Sequence, residues 1–427
     1  MAHGRRLNAL AKTDFFWPHA LRLTRFPGKH AQGASNPYLD RRTLMRFQSR
    51  SFIYLDHNAT TPVDPGAAKA MMPFTQEEFG NPSSPYPLGT RAKERLEQCR
   101  QQVAMLLGCT SPEVVFTSGG SESNNMVLKG IVDLRNPENF HIITSAVEHP
   151  AIINPALFLE ELGVRVTVLP VDTFGLVDPE EVRRAIKPNT SLISIMMANN
   201  ETGTLQPIKD ISQIAREHGI PLHSDAAQAI GKIPVDVNEL GVDFLSVAGH
   251  KLYGPKGVGA LFIREGQNLT PLIHGAGQEG GKRPGTENVI LSVGLGVACQ
   301  VARERLHEDM KNMKVMRDRL QTLLFGGLEG LVLNGHPERR LPNTLNVSVP
   351  HIEGHKILDG LPTVYASTGA ACHDRSVELS HVLSAMGVPP EVGMGALRLT
   401  VGRTNDTEQI EEAGRLIVKR VKEIRDR

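Results

Sequence analysis

Short apolar segments alternate with amphipathic ones along most of the chain from Ile53 onward. Six of the apolar segments have the length of buried strands and are bounded by turn residues. They are 141–149, 165–172, 191–200, 221–227, 242–250 and 259–265. Helical patterns separate several of them, for example 179–187 and 208–219, and Gly219 provides a stop for the second helix. Strands and helices that alternate at this spacing predict an α/β fold with a largely parallel sheet.

The pattern changes after about residue 300. A long amphipathic helix is predicted over 299–327, where two glycines end it. Three further strands are predicted at 343–350, 363–368 and 396–402. The last element is a helix over 405–426, which Asn405 or Thr407 can cap. These elements predict a separate, smaller α+β unit.

The first 50 residues differ from the rest. They carry ten Arg or Lys residues against two acidic ones, hold the only tryptophan, Trp17, and show no clear periodicity. An Arg-rich, acid-poor start is typical of an organelle transit peptide. Two other interpretations stay open: an extension without fixed structure, or upstream sequence translated from a wrongly chosen start, with Met45 as the real one. We predict a basic extension at 1–50, a large domain at 51–310 whose first residues can pack on the small domain, and a small domain at 311–427.

Composition narrows the class of protein. The chain has 427 residues, 40% of them hydrophobic, which is enough for a large core. Its net charge of +1 gives no electrostatic case for binding nucleic acid, and we expect no membrane span because no run of 18 apolar residues occurs. Four separated cysteines without a CxxC pair favour a reducing compartment and predict neither a disulfide scaffold nor a metal site. We expect a cytoplasmic protein, or a mitochondrial one if residues 1–50 are a transit peptide.

Polar groups follow four of the predicted strands, at the carboxyl ends where open α/β sheets gather functional residues. They are Glu148–His149, Asn199–Gly203, Ser224–Gln228 and Gly249–Lys251. A fifth segment, FTSGGSESNN at 116–125, is strand-like, then glycine-rich, then helix-like. Its backbone N–H groups and Ser121 can cradle a phosphate at a helix N-terminus. Each feature alone is weak, since a lysine beside glycine is usually a solvated turn and an aspartate such as Asp225 can simply cap a helix.

One ligand, pyridoxal phosphate, unites these groups. A lysine forms a Schiff base with its aldehyde, a carboxylate pairs with its pyridinium nitrogen, and an imidazole stacks on its ring. The glycine- and serine-containing loop takes the phosphate. The stretch LSVAGHKLYGPKGVGAL, 245–261, then predicts that Lys251 carries the cofactor. Four glycines allow tight turns beside that lysine, and they are Gly249, Gly254, Gly257 and Gly259.

Ten ordered motifs resemble the class V aminotransferase-like, fold-type-I pyridoxal-phosphate enzymes, and specifically the cysteine desulfurase and selenocysteine lyase family. They are IYLDHNATTPVDP (53–65), FGNPSSPY (79–86), FTSGGSESNN, VEH, ANNETG, HSDAAQ, GHKLYGPKGVGAL, RPGTEN (283–288), GAAC (369–372) and ALRLTVGR (396–403). Together they cover residues 53 to about 420. The resemblance implies a mostly parallel seven-stranded sheet between helices in the large domain, beside a smaller C-terminal α+β domain.

The resemblance also implies catalytic roles. Lys251 is the Schiff-base lysine and the base at the substrate Cα. Cys372, in the small and polar segment STGAACHDRS, is the nucleophile, whose thiolate is the reactive form. His149 stacks on the cofactor and can carry a proton. Arg398 binds the substrate carboxylate with a bidentate pair, beside Asn200.

The implied cofactor-binding set consists of Lys251, Gly120, Ser121, His149, Asn200, Asp225, Gln228, His250 and Thr286. Within it, Asp225 pairs with the pyridine nitrogen and Gln228 bonds the ring hydroxyl. Gly120, Ser121 and His250 bind the phosphate. Thr286 reaches that phosphate from the partner subunit of a homodimer. The isolated cysteines Cys99 and Cys299 are expected to be small core residues.

The implied activity is removal of sulfur from L-cysteine as a persulfide on Cys372, with release of L-alanine. The sulfur then goes to an acceptor or scaffold protein, for iron–sulfur cluster assembly or another sulfur transfer. Selenocysteine lyase is the near alternative; an aminotransferase, which has no use for the thiol, and a scaffold without catalysis are more distant. Ala248 stands where many desulfurases have a serine, and GAACH with NPSSPY is closer to selenocysteine lyases. The segment VELSHVLSAMGV, 377–388, is instead similar to ordinary desulfurases.

Overall fold

The computed structural model describes residues 52–427 apart from 369, 374 and 375, so the basic extension lies outside the described residues. The strands are β1 (Ile53–Tyr54), β2 (Val114–Thr117), β3 (His141–Ser145), β4 (Arg165–Leu169), β5 (Thr190–Ser194), β6 (Leu222–Asp225), β7 (Phe244–Ala248), β8 (Gly259–Ile263), β9 (Val332–Leu333), β10 (Thr344–Ser348), β11 (Val364–Tyr365), β12 (Ser367–Thr368), β13 (Ala370–His373), β14 (Ser376–Leu379) and β15 (Ala396–Thr400).

The helices alternate with these strands. The α-helices are α1 (Pro65–Met71), α2 (Pro73–Gln76), α3 (Pro87–Leu107), α4 (Gly120–Gly130), α5 (Pro150–Glu161), α6 (Pro179–Ala185), α7 (Ile208–Glu217), α8 (Val237–Leu240), α9 (Val289–Gly327), α10 (Gly354–Leu358), α11 (His381–Ala385), α12 (Pro390–Gly393) and α13 (Thr407–Arg425). Short 3-10 turns lie at Ser111–Glu113, Pro137–Asn139, Gly249–Lys251 and Gln278–Gly281.

A seven-stranded sheet forms the centre of the fold, in the order β2-β8-β7-β6-β5-β3-β4. The strands from β7 to β4 run parallel, whereas β8 is antiparallel to both of its neighbours. The largely parallel seven-stranded sheet is therefore confirmed. All six predicted apolar strands form, and each ends before its predicted segment does because the last residues of those segments belong to the connections.

A second sheet, in the order β12-β15-β10-β9, is antiparallel and has a core of its own. Strand β10 is buried along its whole length and packs with apolar residues from the last turns of α9 and from α13. Strand β1 pairs with β11, and Ile53 and Leu55 are buried in this second core. The segment predicted as one strand at 363–368 is two short strands, because β11 pairs with β1 whereas β12 pairs with β15.

Helix α9 connects the two cores, and it begins ten residues before the predicted start. Its first part, VILSVGLGVA, is buried on several sides, so it lacks the polar face that reveals a helix in a sequence. Val293 and Ala298 pack in the core of the seven-stranded sheet, whereas Leu320 and Leu324 pack in the second core. A boundary near residue 310 would fall inside this helix, and the division into domains stays a prediction.

The cap predicted for the last helix is wrong. The side chain of Asp406 accepts a hydrogen bond from the N–H of Gln409 and caps α13. Asn405 instead accepts from the N–H of Gly402 and donates to the carbonyl of Tyr54. The extended backbone of Asp406 leaves its carboxylate facing the first turn, the geometry that a cap requires.

The cysteines whose side chains are described are not activated thiols. Cys99 and Cys299 are fully buried in the first core, as predicted, and burial raises the pKa of Cys99 to about 11. Cys109 is half-buried, and desolvation raises its pKa to about 12. Within the described ranges, no helix combines the length and apolarity needed to cross a bilayer, and no group of three or more His, Cys, Asp or Glu side chains is placed to bind a metal ion.

Candidate active site

The carboxyl ends of the parallel strands border a cavity of about 330 Å³. The polar connections after β3, β5, β6 and β7 and the connection from β2 to α4 all reach it. Nine of the predicted residues line this cavity, and they are Gly120, Ser121, His149, Asn200, Asp225, Gln228, His250, Lys251 and Arg398. The reasoning from strand ends therefore identified residues that meet at one place.

Lys251 lies in the 3-10 turn that follows β7, and its amine faces the segment after β1. Its Nζ donates to the backbone carbonyls of Asn58 at 2.6 Å and Ala59 at 2.8 Å. Burial, and then the positive charge of Arg398, lower the pKa of Lys251 to about 8. An amine with this pKa loses its proton more readily than an exposed lysine and is a better nucleophile near neutral pH.

The glycines after Lys251 allow a close approach between backbones. A Cβ on Gly259 would lie 2.3 Å from the carbonyl oxygen of Val247 and 2.7 Å from the Cα of Gly119. Gly257 has a φ of +83°, which side chains rarely adopt. The start of β8 can therefore lie directly against the loop that begins α4.

Asp225 ends β6 with its carboxylate fixed from two sides. Its Oδ2 accepts from Nδ2 of Asn124 at 2.7 Å, and its Oδ1 accepts from the N–H of Ala227 at 2.9 Å. Only 7% of Asp225 is exposed. Asn124 lies one helical turn after Gly120, so the face of α4 that begins at the cavity also holds the carboxylate.

The N-terminus of α4 forms an anion-binding end of the cavity. No side chain caps this helix, and its first residues, Gly120 and Ser121, line the cavity. The position of a Cβ on Gly119 has no atom within 4 Å, so space is open beside the free N–H groups. His250 is hydrogen-bonded to the Thr60 hydroxyl at 3.2 Å, and burial lowers the pKa of His250 to about 4, which makes it a neutral partner.

His149 begins α5 at the mouth of the cavity. Its Nδ1 accepts from the N–H of Ala151 at 3.1 Å, which leaves the proton of the neutral ring on Nε2. Desolvation lowers the pKa of His149 more than the nearby Asp225 raises it. The preceding residue, Glu148, is fully buried, and burial raises its pKa to about 8 although the N–H of Met196 and the Ser145 hydroxyl donate to it.

Arg398 reaches the cavity from β15 of the second sheet. One terminal nitrogen donates to Asp56 at 2.8 Å and to the Ser367 hydroxyl at 3.0 Å. The Ser367 hydroxyl in turn donates to the other oxygen of Asp56 at 2.9 Å. The Nε of Arg398 is buried and has no partner among the described residues. Another terminal nitrogen donates to the carbonyl of Asn200 at 3.4 Å, so the guanidinium is fixed by its neighbours while it lines the cavity.

Cys372 lies on β13, whose register with β14 places it opposite Val377. The position of its thiol lies outside the described residues. The residues on either side of this hairpin are bonded to a residue that lines the cavity or to residues next to the lining in sequence. Ser367, just before it, bonds Arg398, and Ser380, just after it, donates to a carboxylate oxygen of Glu201 at 2.6 Å. A third bond joins the His381 ring to the carbonyl of Glu148 at 2.9 Å.

Thr286 is exposed and does not line the cavity of its own chain. The segment that carries it is attached to the loop at the start of α4. Arg283 pairs with Glu122 at 2.9 Å, and Glu122 also accepts from the N–H of Ser118. The predicted action of Thr286 in a partner subunit stays a prediction.

Sequence reasoning missed several polar residues around the cavity. Asn58 and Ala59 line it, and Asp56 fixes Arg398. They belong to LDHNATT, a segment quoted for its resemblance but given no role. Its only local signal is three polar residues, Asp56 to Asn58, after a short apolar run, which is too little to place a side chain at the edge of a distant sheet.

The geometry of the cavity indicates a class of protein. A lysine with a lowered pKa, a fixed aspartate and an uncapped helix N-terminus surround one cavity, as pyridoxal-phosphate-dependent enzymes require. Residues 53–412 match the family model described as Aminotransferase class-V, and the chain belongs to that family.

Similar proteins narrow the class. Cysteine desulfurase IscS of Methanosarcina thermophila is 46% identical over 382 residues, which are 88% of this chain and 93% of that protein. A protein named cysteine desulfurase, mitochondrial, of Arabidopsis thaliana is 43% identical and is matched over 88% of this chain and 83% of its own length. The solved structure of a NifS-like protein has a TM-score of 0.82 at 38% identity and covers 87% of this chain and 99% of its own. The fold-type-I resemblance is thus confirmed.

Pyridoxal 5'-phosphate is the cofactor of this family, and the described residues fit it. Lys251 would provide the amine for covalent attachment, and the α4 N-terminus would provide free N–H groups for the phosphate. Asp225 would provide a carboxylate, already held in place, for the pyridine nitrogen. The open space beside Gly119 leaves the N–H groups accessible.

Proposed function

We propose that this protein is a cysteine desulfurase, which transfers sulfur from L-cysteine to Cys372 and releases L-alanine. The observation that carries the proposal is the hydrogen bonding on both sides of the Cys372 hairpin, where Ser367 bonds Arg398 of the cavity lining and Ser380 bonds Glu201, the residue after the lining residue Asn200. Relatives named cysteine desulfurase, with 43–46% identity over most of the chain, support it. A transaminase would have no use for a thiol at this place.

Bound pyridoxal phosphate supplies an electron sink for charge that develops at the substrate Cα. Lys251 would hold the cofactor covalently, and its amine would take the proton from the substrate Cα. Arg398, which lines the cavity and is fixed by Asp56, would bind the substrate carboxylate. His149, which lines the cavity, would stack on the cofactor ring, and its Nε2 could hold a proton for the leaving product. Asp225 maintains a negative charge at the pyridine nitrogen.

Cys372 completes the reaction as a thiolate. It attacks the substrate sulfur, so a sulfur–sulfur bond forms while the bond between the substrate Cβ and its sulfur breaks. The electron pair of the broken bond stays with the three-carbon product, which gains a proton and leaves as L-alanine. One cysteine and one thiol thus give one alanine and one persulfide, and atoms and electrons balance. An external thiol or an acceptor protein then removes the outer sulfur atom.

We further propose a homodimer in which Thr286 bonds the cofactor phosphate of the partner subunit. The exposure of Thr286 and its attachment near α4 through Arg283 and Glu122 support this arrangement. Mixing two inactive variants tests it, since a dimer of Thr286→Ala and Lys251→Ala chains contains one complete site. Recovery of tight cofactor binding upon mixing is expected. No recovery in mixed dimers would contradict the role of Thr286.

The sulfur acceptor that we propose is a scaffold protein of iron–sulfur cluster assembly or another sulfur carrier. A reducing compartment is required, because the Cys372 thiol must be regenerated at each turnover. The cytoplasm meets this condition, and so does the mitochondrial matrix, which would apply if residues 1–50 direct import. Expression of the full chain and of a 52–427 form, each with a fluorescent tag, would distinguish the two locations.

Selenocysteine lyase, the near alternative, is not favoured by relatives that are named cysteine desulfurases. The deciding assay follows alanine formation from L-cysteine and from L-selenocysteine, with and without a thiol reductant. Cysteine turnover that increases with reductant and requires Cys372 is expected. Turnover of selenocysteine alone would contradict the proposed function and would direct attention to Ala248 and the GAACH segment.

A further inference from the structure

Lys232 is a buried lysine that the proposed mechanism does not use. It lies in the turns after β6, four residues after Gln228, and only 5% of it is exposed. Its Nζ donates to Oε1 of Gln228 at 2.7 Å and to Oδ1 of Asn58 at 3.1 Å. Both of these partners line the cavity. The amine therefore lies directly behind the cavity wall.

The charge environment of Lys232 is unusual for a buried amine. Among the described residues, no carboxylate lies within ion-pair distance of it. Burial lowers the pKa of Lys232 far below its usual range, and the positive charges of Lys251 and Arg398 act in the same direction. Burying an amine without a counterion costs free energy of folding. Among the described residues, the hydrogen bonds to Gln228 and Asn58 offset that cost.

Those hydrogen bonds determine how the Gln228 amide is oriented. Because Oε1 accepts from Lys232, the NH₂ group must point the other way. One of its protons is donated to the carbonyl of Asn58 at 2.9 Å, and the second remains available to the cavity that Gln228 lines. A flipped amide would lose the acceptor that Lys232 uses and would place its oxygen against the carbonyl oxygen of Asn58, a contact between two acceptors.

The amine of Lys232 also fixes Asn58. The Oδ1 of Asn58 accepts from both Lys232 and Asn343, and the Nδ2 of Asn58 donates to the Thr344 hydroxyl at 2.9 Å. The carbonyl of Asn58 is thereby held where it receives Lys251 and Gln228. Lys232, which lies behind the cavity wall, thus helps determine which side-chain atoms of Gln228 and Asn58 accept hydrogen bonds and which donate them.

We propose that Lys232 is a positioning residue that holds Gln228 with an N–H donor facing the cavity, where it meets an anionic oxygen on the cofactor ring. The inference rests on the proposed function only in requiring that pyridoxal phosphate occupies this cavity. It assigns the direction of the Gln228 amide to a lysine that does not touch the cofactor.

Cofactor affinity and the visible spectrum of the full chain test this role. Lys232→Met keeps the length of the side chain but removes the donor, and we expect pyridoxal phosphate to bind about tenfold more weakly. The pH at which the visible absorbance band changes form should shift upward, because an anionic ring oxygen loses a donor. Lys256→Met removes an exposed lysine close to Lys251 and serves as the matched control, with affinity and spectrum expected to stay parental.

A double variant separates positioning from a general structural effect. If Lys232 acts through Gln228, the variant with both Lys232→Met and Gln228→Leu binds the cofactor no more weakly than Gln228→Leu alone. Losses that add in full, or a parental spectrum and affinity in Lys232→Met, would overturn the proposal. Should Lys232→Met fail to fold, Lys232→Gln retains a donor and is expected to bind within about threefold of the parental protein, and a tenfold loss there would also overturn it. Failure of the parental protein to bind pyridoxal phosphate would instead refute the proposed function.

Discussion

The base of the cavity, formed by Lys251, Asp225 and Gln228, and the hairpin that carries Cys372 are held in different ways. At the base, Lys251, Asp225 and Gln228 each make at least two hydrogen bonds to neighbouring residues. The hairpin is held at its two ends, where Ser367 bonds Arg398 of the cavity lining and Ser380 and His381 bond Glu201 and Glu148, each next to a lining residue in sequence. Proton transfer and charge stabilisation require groups fixed before the substrate arrives. Sulfur transfer requires a thiol that serves the substrate first and an acceptor afterwards.

This difference implies that cofactor binding and sulfur transfer can be damaged separately. Substitutions at the base should change the visible spectrum and every later step. Substitutions at the hairpin should leave the spectrum unchanged and reduce only the transfer of sulfur. The following predictions test that separation, beginning with the largest effect.

Replacement of Lys251 by alanine should abolish both covalent cofactor binding and sulfur transfer. Without its amine the cofactor has no covalent attachment and the substrate Cα has no base, so we expect loss of the visible band and a fall in alanine formation of about 10²- to 10⁴-fold or more. Absorbance spectra and an alanine assay measure the two effects. The exposed Lys256→Ala variant is the control, and a visible band that persisted in Lys251→Ala would assign the cofactor to another residue.

Replacement of Cys372 by alanine should abolish sulfur transfer and leave cofactor binding unchanged. The visible band and cofactor affinity should remain parental, since the residues at the base are untouched, while sulfide release from L-cysteine falls to background. Sulfide release at the parental rate in this variant would rule out a persulfide on Cys372.

The pH dependence of cofactor capture should report the environment of Lys251. Burial and Arg398 lower the pKa of its amine to about 8, and only the neutral amine can attach the cofactor. The rate of capture by cofactor-free protein should therefore rise about tenfold per pH unit up to this value and level off above it, rather than rise to beyond pH 10 as for an exposed lysine. Stopped-flow absorbance after mixing with pyridoxal phosphate gives the profile. A rate that still increased between pH 9 and pH 10 would show that the amine is not perturbed.

Loss of the Ser380 hydroxyl, next to the hairpin, should have a moderate effect. Ser380→Ala removes the bond to Glu201 and the cap that accepts from the Val382 N–H, and we expect alanine formation to fall about five- to tenfold with unchanged cofactor affinity. Ser384→Ala, an exposed serine on the same helix, is the matched control and should behave as the parental protein. Equal losses in both variants would point to general destabilisation of α11.

The smallest effect should come from Ala248→Ser. Ala248 lies 3.5 Å from the position that a Cβ on Gly120 would occupy, at the anion-binding end of the cavity. A hydroxyl there can donate to the phosphate, and we expect about fivefold tighter binding of pyridoxal phosphate. Ala151→Ser, at the His149 side of the same cavity, should leave the affinity unchanged. Weaker binding in Ala248→Ser would mean that the site has no room for the hydroxyl.

The strand-end residues of the cavity were predictable because parallel strands deliver their carboxyl ends to one edge of a sheet. His149, Asp225 and Lys251 each follow an apolar run that can be recognised from sequence alone. Arg398 could be placed only by resemblance, since it comes from the second sheet and no local pattern links it to the first.

Asn58, Asn124 and Lys232 were missed for related reasons. Their roles depend on hydrogen bonds between segments that are distant in the chain, such as the bond of Lys232 to Asn58, 174 positions away. A buried lysine also contradicts the expectation that lysines are solvated, so its position in a turn suggested nothing. The early start of α9 was missed because a helix buried on several sides has no amphipathic period.

The most direct test of the central claim is the mass of Cys372 after a single turnover without reductant. Purified protein carrying pyridoxal phosphate would be mixed with less than one equivalent of L-cysteine, quenched, alkylated and analysed by peptide mass spectrometry. We expect one additional sulfur atom on Cys372, in an amount equal to the L-alanine released. L-alanine formed with no additional sulfur on Cys372 would contradict that claim.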